Sequence, residues 1–172
     1  MNYLNRNGST VNLASLDISK AFDKISHYML YQKLLQRNVP RSFVDILRCW
    51  YEKCSVSVWW NNAVSPVFHL HAGVRQGGVL SPILFAVYIN DVISELSSRE
   101  LGFSLHGCFI GCILYADDII LISQSYSILQ SMLAVCNKAM SVLDLRFNLK
   151  KSVLLRIGPR FNSVCAPMML DN

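Results

Sequence analysis

Two adjacent carboxylates, Asp117 and Asp118, stand between two strongly apolar runs, Cys112-Ile113-Leu114 and Ile119-Ile120-Leu121-Ile122. Both flanks read as buried β-strands, rich in β-branched and aliphatic residues. Neighbouring strand side chains point to opposite faces, so two Asp in mid-strand would force one into the core. A tight hairpin turn with the pair at its tip avoids that cost, because Asp tolerates unusual backbone angles. The double charge then stands at the rim of a sheet, either as oxygen ligands for a divalent cation or as an acidic turn facing water. Asp17 ends the short apolar run Leu13–Leu16 and is a third carboxylate that a neighbouring strand can bring to the same rim. Two unit charges ~4 Å apart repel by ~4 kcal/mol at an effective dielectric near 20. Three converging carboxylates therefore call for protonation or for a cation. Two metals held there would activate an attacking oxygen and stabilise a leaving one in phosphoryl transfer.

The elements that must position these residues follow from hydrophobic period and punctuation. A strand over Leu13–Leu16 leads to Asp17. A helix is expected around 27–37, with Leu30, Leu34 and Leu35 on one face, stopped by Asn38-Val39-Pro40. A second helix from about Ser42 places Phe43, Ile46, Leu47, Trp50 and Tyr51 at helical spacing. Val56, Val58 and Trp60 alternate, Asn61-Asn62 can turn, and Val64–Leu70 returns as a hairpin. After the glycine-rich stretch 73–78, Ser81-Pro82 supplies an N-cap and a first-turn proline for a helix to about Leu96. A helix near 127–143 presents Ile128, Leu129, Met132, Leu133, Cys136 and Met140 on one side, and Val153–Ile157 closes as a strand. Hairpins separated by helices predict an α+β fold, an antiparallel sheet with helices packed on one face.

The chain has 172 residues, 52% hydrophobic and 16% charged, which excludes a disordered chain and suits a single domain with a sizeable core. Val79–Ile89 is too short to span a bilayer and Ser81-Pro82 interrupts it. The polar opening Met1-Asn2-Tyr3-Leu4-Asn5-Arg6 is no secretory signal. No membrane association is expected. The six cysteines (49, 54, 108, 112, 136, 165) lack paired zinc spacing and read as reduced thiols of an intracellular protein, cytoplasmic or nuclear. Net charge is +5, and five of the basic residues fall between Arg146 and Arg160. A basic edge beside an acidic, apolar centre suits a polyanion lying across a metal site, although an ordinary solvated face has the same composition.

Four segments, in order, resemble the polymerase motifs of reverse transcriptases. Leu16-Asp17-Ile18-Ser19-Lys20-Ala21-Phe22-Asp23-Lys24-Ile25-Ser26-His27 resembles motif A. Gly73-Val74-Arg75-Gln76-Gly77-Gly78-Val79-Leu80-Ser81-Pro82-Ile83-Leu84-Phe85 resembles motif B. Tyr115-Ala116-Asp117-Asp118 resembles motif C, and Phe147-Asn148-Leu149-Lys150-Lys151-Ser152 resembles motif D. A lone Ala-Asp-Asp is weak, but four ordered motifs are specific, and their wording is that of non-LTR (LINE-type) retrotransposons.

The resemblance implies an RNA-directed DNA polymerase palm with part of the fingers. Asp17, Asp117 and Asp118 would hold two Mg²⁺, with Asp118 the least direct ligand and Mn²⁺ as the alternative ion. Main-chain amides of Ile18, Ser19, Lys20, Ala21 and Phe22 would contact the incoming deoxynucleoside triphosphate. Phe22 would exclude a ribose 2′-hydroxyl, and that bulk argues against an RNA-synthesising palm. Gln76 would lie along nucleotide and template, and Gly77 and Gly78 would allow close backbone approach. Arg75 would touch a phosphate of the nucleic acid, with a surface salt bridge as the equal alternative, and Tyr115 would sit near the primer end or, equally, pack beneath the hairpin. Lys151 would protonate the pyrophosphate leaving group, with Lys150 as the competing donor. Asp23 is expected to cap or brace the following helix, and His69 and His71 read as surface or groove residues. The partners implied are an RNA template, a DNA primer and the remaining fingers, thumb and endonuclease regions of a longer element. By the same resemblance residues 1–12 are a remnant of fingers or linker, 13–158 the palm with part of the fingers, and 159–172 a poorly ordered tail. The chain alone would then lack the triphosphate-gripping fingers and the thumb. The rival expectation is a catalytically inactive or repurposed nucleic-acid-binding fragment of a retroelement.

Overall fold

The computed structural model describes residues 8–165 and 167–170. Most of the segment 1–12 expected as a fingers remnant, and residues 166, 171 and 172 of the expected tail, lie outside the described residues. In chain order the elements are β1 (Val11–Asp17), α1 (His27–Gln36), α2 (Arg41–Glu52), β2 (Ser55–Val56), β3 (Trp59–Trp60), β4 (Ala63–Val64) and β5 (Phe68–His69). There follow α3 (Ser81–Ser98), β6 (Ser104–Leu105), β7 (Cys108–Phe109), β8 (Cys112–Tyr115), β9 (Asp118–Ser123), α4 (Tyr126–Val142) and β10 (Val153–Ile157). They form two compact units, Met1–Ala21 with Ile89–Asn172, and Phe22–Tyr88. The whole is α+β, as the order of hairpins and helices predicts.

The first unit is built on a four-stranded antiparallel sheet in the order β10-β1-β9-β8. The β1–β9 register pairs Leu16 with Ile119 and Ala14 with Leu121, and these four are buried. Helix α4 packs on β1 and β9, with Leu129, Met132, Leu133, Cys136 and Met140 buried on its inner side. Each such aliphatic side chain removed from water contributes ~1.5–3 kcal/mol. Ile128, expected on that face, is exposed. Helix α4 ends with Asp144 at φ 53, while Leu145 N–H donates to Met140 O and Asp144 N–H to Ser141 O. This Schellman closure satisfies the last carbonyls and turns the chain toward Phe147. The opposite face of the sheet carries Ser15, Ile120 and Asp118, all exposed.

In the second unit, Ser26 caps α1 through its hydroxyl, which accepts from Met29 N–H at 3.4 Å. Asn38 at φ 59 ends it, with Val39 N–H on Leu34 O and Asn38 N–H on Leu35 O. Asp23 does not cap this helix. On α2 the buried residues are Val44, Leu47 and Tyr51, whereas Phe43, Ile46 and Trp50 are exposed. Both triplets have helical spacing, so the period alone could not tell which faces the core. Asn61 and Asn62 both have positive φ, 45° and 64°, the signature of a type I′ turn joining β3 to β4. Ser81 opens α3 as its first residue, and its hydroxyl donates to Arg75 O.

Among the described residues no helix is long and apolar enough to cross a membrane. After β10, Met169 is tied to α4, its N–H on Gln130 Oε1 at 2.9 Å and its carbonyl accepting from Gln130 Nε2 at 2.8 Å.

Candidate active site

Strands β8 and β9 are joined by a two-residue turn, Ala116-Asp117, closed by the Tyr115↔Asp118 pair. Ala116 has φ 50°, the conformation a II′-type hairpin asks of its first turn residue. The turn therefore consists of Ala116 and Asp117, and Asp118 is the first residue of β9 rather than part of the tip. Asp118 pairs in register with Asp17, and cross-strand partners share one face with Cβ atoms ~4.5–5.5 Å apart. The structure thus places the motif A carboxylate beside the second carboxylate of the hairpin, while Asp117 remains in the turn.

The motif D segment wraps the end of β1. Ile18 bridges to Phe147, Ser19 N–H donates to Arg146 O at 2.9 Å, and Asn148 N–H donates to Asp17 O at 2.8 Å. Lys150 N–H donates to Asn148 Oδ1, closing an Asx turn. Lys151 Nζ then lies 3.9 Å from Asp17 Oδ1, with the Asp17 side chain 19% exposed and that of Lys151 68%. Of the two candidate lysines, Lys151 is the one paired with Asp17. Solvent screening keeps so exposed an ion pair weak, ~0.2–1 kcal/mol.

Among the described residues no group of three or more His, Cys, Asp or Glu side chains is gathered to hold a metal ion. The donors that the register does bring together, Asp17 and Asp118, are all oxygen and share one face. They carry two negative charges against the single charge of Lys151. Such a pair fits a hard divalent cation. Tyr115 is 81% exposed, which excludes packing beneath the hairpin as its role.

The backbone after Asp17 corrects one expectation. The Ser19 amide, expected on the triphosphate, is already donated to Arg146 O. Ile18 and Ala21 are buried, and Lys20 is exposed at φ 51°.

Phe22 and the motif B residues belong to the other unit. There Phe22 is half-buried, its ring 5.1 Å from that of Phe85. Phe22 O accepts from Val74 N–H at 2.7 Å, and Gly73 N–H donates to Ile25 O at 2.8 Å. Gly73 was not singled out by sequence, yet it is doubly required. Its φ is 88°, and a Cβ there would stand 2.8 Å from Asp23 O and 2.9 Å from Phe22 O. Gly73 O also meets His27 Nε2 at 2.7 Å. Gln76 is exposed and donates to Asp23 Oδ1 at 3.2 Å, which gives Asp23 a partner in motif B. Gly77 needs glycine for its φ of 77° alone, since nothing stands within 4 Å of its missing Cβ. At Gly78 a Cβ would meet Ser81 Oγ at 2.8 Å, so here the close approach is internal. Arg75 is exposed.

His69 and His71 are exposed and line a groove of about 650 Å³ with His27, Tyr31 and Tyr51. Burial, and next the neighbouring Tyr51, pushes the Tyr31 hydroxyl up to about 12.

The family model described as reverse transcriptase (RNA-dependent DNA polymerase) matches residues 1–162. The Retrovirus-related Pol polyprotein from the retrotransposable element R2DM of Drosophila melanogaster is 33% identical over 153 residues, covering 89% of this chain and 14% of its own length. The RNA-directed DNA polymerase from mobile element jockey of Drosophila funebris is 30% identical over 116 residues, 67% of this chain and 12% of that protein. The chain thus spans less than a quarter of these curated relatives. In structure it is similar to apo telomerase of Candida tropicalis, with a TM-score of 0.65 at 13% identity over 91% of this chain and 33% of that one.

Proposed function

The chain belongs to the reverse transcriptase family, and from that premise we propose that it carries the palm chemistry of an RNA-directed DNA polymerase of a non-LTR retroelement. The reaction is template-directed addition of a deoxynucleotide to a primer 3′-hydroxyl on an RNA template. The observation that carries this reading is the register that sets Asp17 opposite Asp118, with Lys151 3.9 Å from Asp17.

Reverse transcriptases generally use divalent metals, and here Asp17, Asp118 and Asp117 are the residues to hold two Mg²⁺, with Mn²⁺ as a substitute. When bound, the ions offset the carboxylate charge and polarise the attacking and leaving oxygens of an in-line displacement. Lys151 carries a proton at Nζ, and its exposed side chain has the reach to leave Asp17 and give that proton to the departing pyrophosphate. Phe22 restricts the sugar, and Gln76 positions nucleotide and template. Ile18, Lys20 and Ala21 are the remaining main-chain contacts for the triphosphate. Arg75 and Lys150 offer charge to nucleic-acid phosphates, Gly77 leaves open space for a strand to approach, and Tyr115 presents an exposed ring to the primer end. The remaining regions of a full-length element are the protein partners in this reading.

The test is primer extension on an RNA template with deoxynucleotides and Mg²⁺. It is run with the chain alone and with the chain exchanged for the matching segment of an R2 polyprotein. Mg²⁺-dependent product that disappears with Asp117→Asn supports the reading. Product that survives Asp117→Asn refutes it. RNA binding that falls steeply with salt, without extension in either context, is the outcome for a fragment that only binds nucleic acid.

A further inference from the structure

Strands β1 and β10 pair in register as far as Ser15↔Val153. Continued by two residues, that ladder would set Asp17 opposite Lys151 and give the Asp17 N–H a main-chain carbonyl. The chain turns away instead. Lys151 N–H and Ser152 N–H both donate to Asn148 O, at 3.1 and 2.9 Å. The Asp17 N–H donates to Ser152 Oγ at 3.3 Å, and that hydroxyl donates onward to Asn148 O at 2.9 Å. The Asp17 carbonyl accepts from Asn148 N–H at 2.8 Å. Both polar backbone groups of Asp17 are therefore held by the two ends of one turn, residues 148–152, and Lys151 sits inside it.

We infer that Ser152 is a positioning residue: its hydroxyl replaces one ladder hydrogen bond and ties the Lys151 turn to Asp17, keeping the Lys151 main chain, and so the base of its side chain, at one place beside the carboxylate. The inference rests on the roles proposed above for Asp17 and Lys151. A hydroxyl can do this because it accepts and donates at once, serving Asp17 N–H and Asn148 O together. Alanine at 152 leaves the half-buried Asp17 N–H without its partner and lets the turn move by more than the tolerance of a proton transfer.

Two readouts separate this clasp from a merely stabilising turn. The first is zero-length carbodiimide coupling of the folded chain, with the Lys151–Asp17 isopeptide measured by peptide mass spectrometry. It needs no activity. Ser152→Ala should lower that cross-link several-fold, Ser152→Thr should restore it, and thermal melts should show all three proteins folded at the coupling temperature. An unchanged cross-link in folded Ser152→Ala overturns the inference, whatever the polymerase assay shows. The second is steady-state extension in the R2 exchange. Ser152→Ala should lower kcat about tenfold to a hundredfold with KM for the deoxynucleotide little changed. The same change in a Lys151→Ala background should cost little more, because both act through one group. Equal and multiplicative losses in the two backgrounds overturn it. Absent extension by the unaltered chain counts against the polymerase reading and leaves the cross-link to decide the clasp.

Discussion

Asp118→Asn removes one of two like charges that the β1–β9 register sets directly opposite each other. Cβ atoms of such a pair lie ~4.5–5.5 Å apart. At ~4 Å the repulsion between unit charges is ~4 kcal/mol for an effective dielectric near 20 and ~1 kcal/mol in water. Asp118 is exposed and Lys151 stands 3.9 Å from Asp17, so the lower figure governs. Like charges on facing strands cost ~0.2–1 kcal/mol, and ~1 kcal/mol moves Tm by ~2–4 °C in a chain of this size. In EDTA and low salt the variant should therefore melt above the parent, by up to ~4 °C, with the gap closing in ~1 M salt, where the Debye length is ~3 Å. Mg²⁺ should reverse the order. A site with Kd ~1 mM gains ~1.4 kcal/mol at ~10 mM ion, by RT ln(1 + [L]/Kd), and the variant has lost a ligand. Calorimetry of both proteins with EDTA and with Mg²⁺ reads all four melts. Parent and variant melting together in EDTA, or gaining equally from Mg²⁺, would refute the pairing of the two carboxylates.

The two motif B glycines should separate by mechanism. Gly73→Ala meets Asp23 O and Phe22 O at 2.8 and 2.9 Å, and should lose ~2–5 kcal/mol in urea unfolding from left-handed strain plus overpacking. Gly77→Ala, with open space around it, should lose only ~1 kcal/mol, and equal losses would count against the close packing of Gly73. Among the cysteines, exposed Cys49, Cys108 and Cys165 should alkylate readily with iodoacetamide in the folded chain, read by mass spectrometry. Cys136 is fully buried and burial raises its thiol well above the usual range, so it should react only through unfolding. Labelling of Cys136 at the rate of the exposed thiols would contradict the packing of α4. In the R2 exchange, Phe22→Ala should admit ribonucleotides, and unchanged sugar selectivity would remove Phe22 as the gate.

Much of the fold was legible because local signals agreed with tertiary need. Asn38 ended α1, Asn61-Asn62 turned the small hairpin, and Ser81-Pro82 marked the start of α3. Legibility failed where one pattern had two solutions. On α2, Phe43-Ile46-Trp50 and Val44-Leu47-Tyr51 have identical spacing, and only the packed chain selects the second as core. The β6–β7 hairpin, with His106 and Gly107 at positive φ, has strands of two residues, too short for any period to show. The hold of motif D on Asp17 was invisible for another reason. It consists of main-chain bonds and one serine hydroxyl joining positions 135 residues apart, and spacing along a chain carries no information about such contacts.

The register of the central strands shows most plainly what residue types alone leave undecided. β9 is aliphatic on both faces, Ile119 and Leu121 on one side and Ile120 and Ile122 on the other. Hydrophobic alternation therefore gives only a weak preference between two registers. A slip of one residue would set Asp117 opposite Asp17 and drive Ile120 into the core in place of Leu121. The turn fixes the pairing of β9 with β8 and no more: two residues, the first at φ 50°, close the hairpin with Tyr115 opposite Asp118. The β1–β9 register, with Leu16 and Ala14 packed opposite Ile119 and Leu121, puts the strand's first side chain, Asp118, on the face of Asp17, and the turn holds Asp117, spared the cost of burial. Two consecutive carboxylates are tolerable here because one ends a turn and the next begins a strand on its open face.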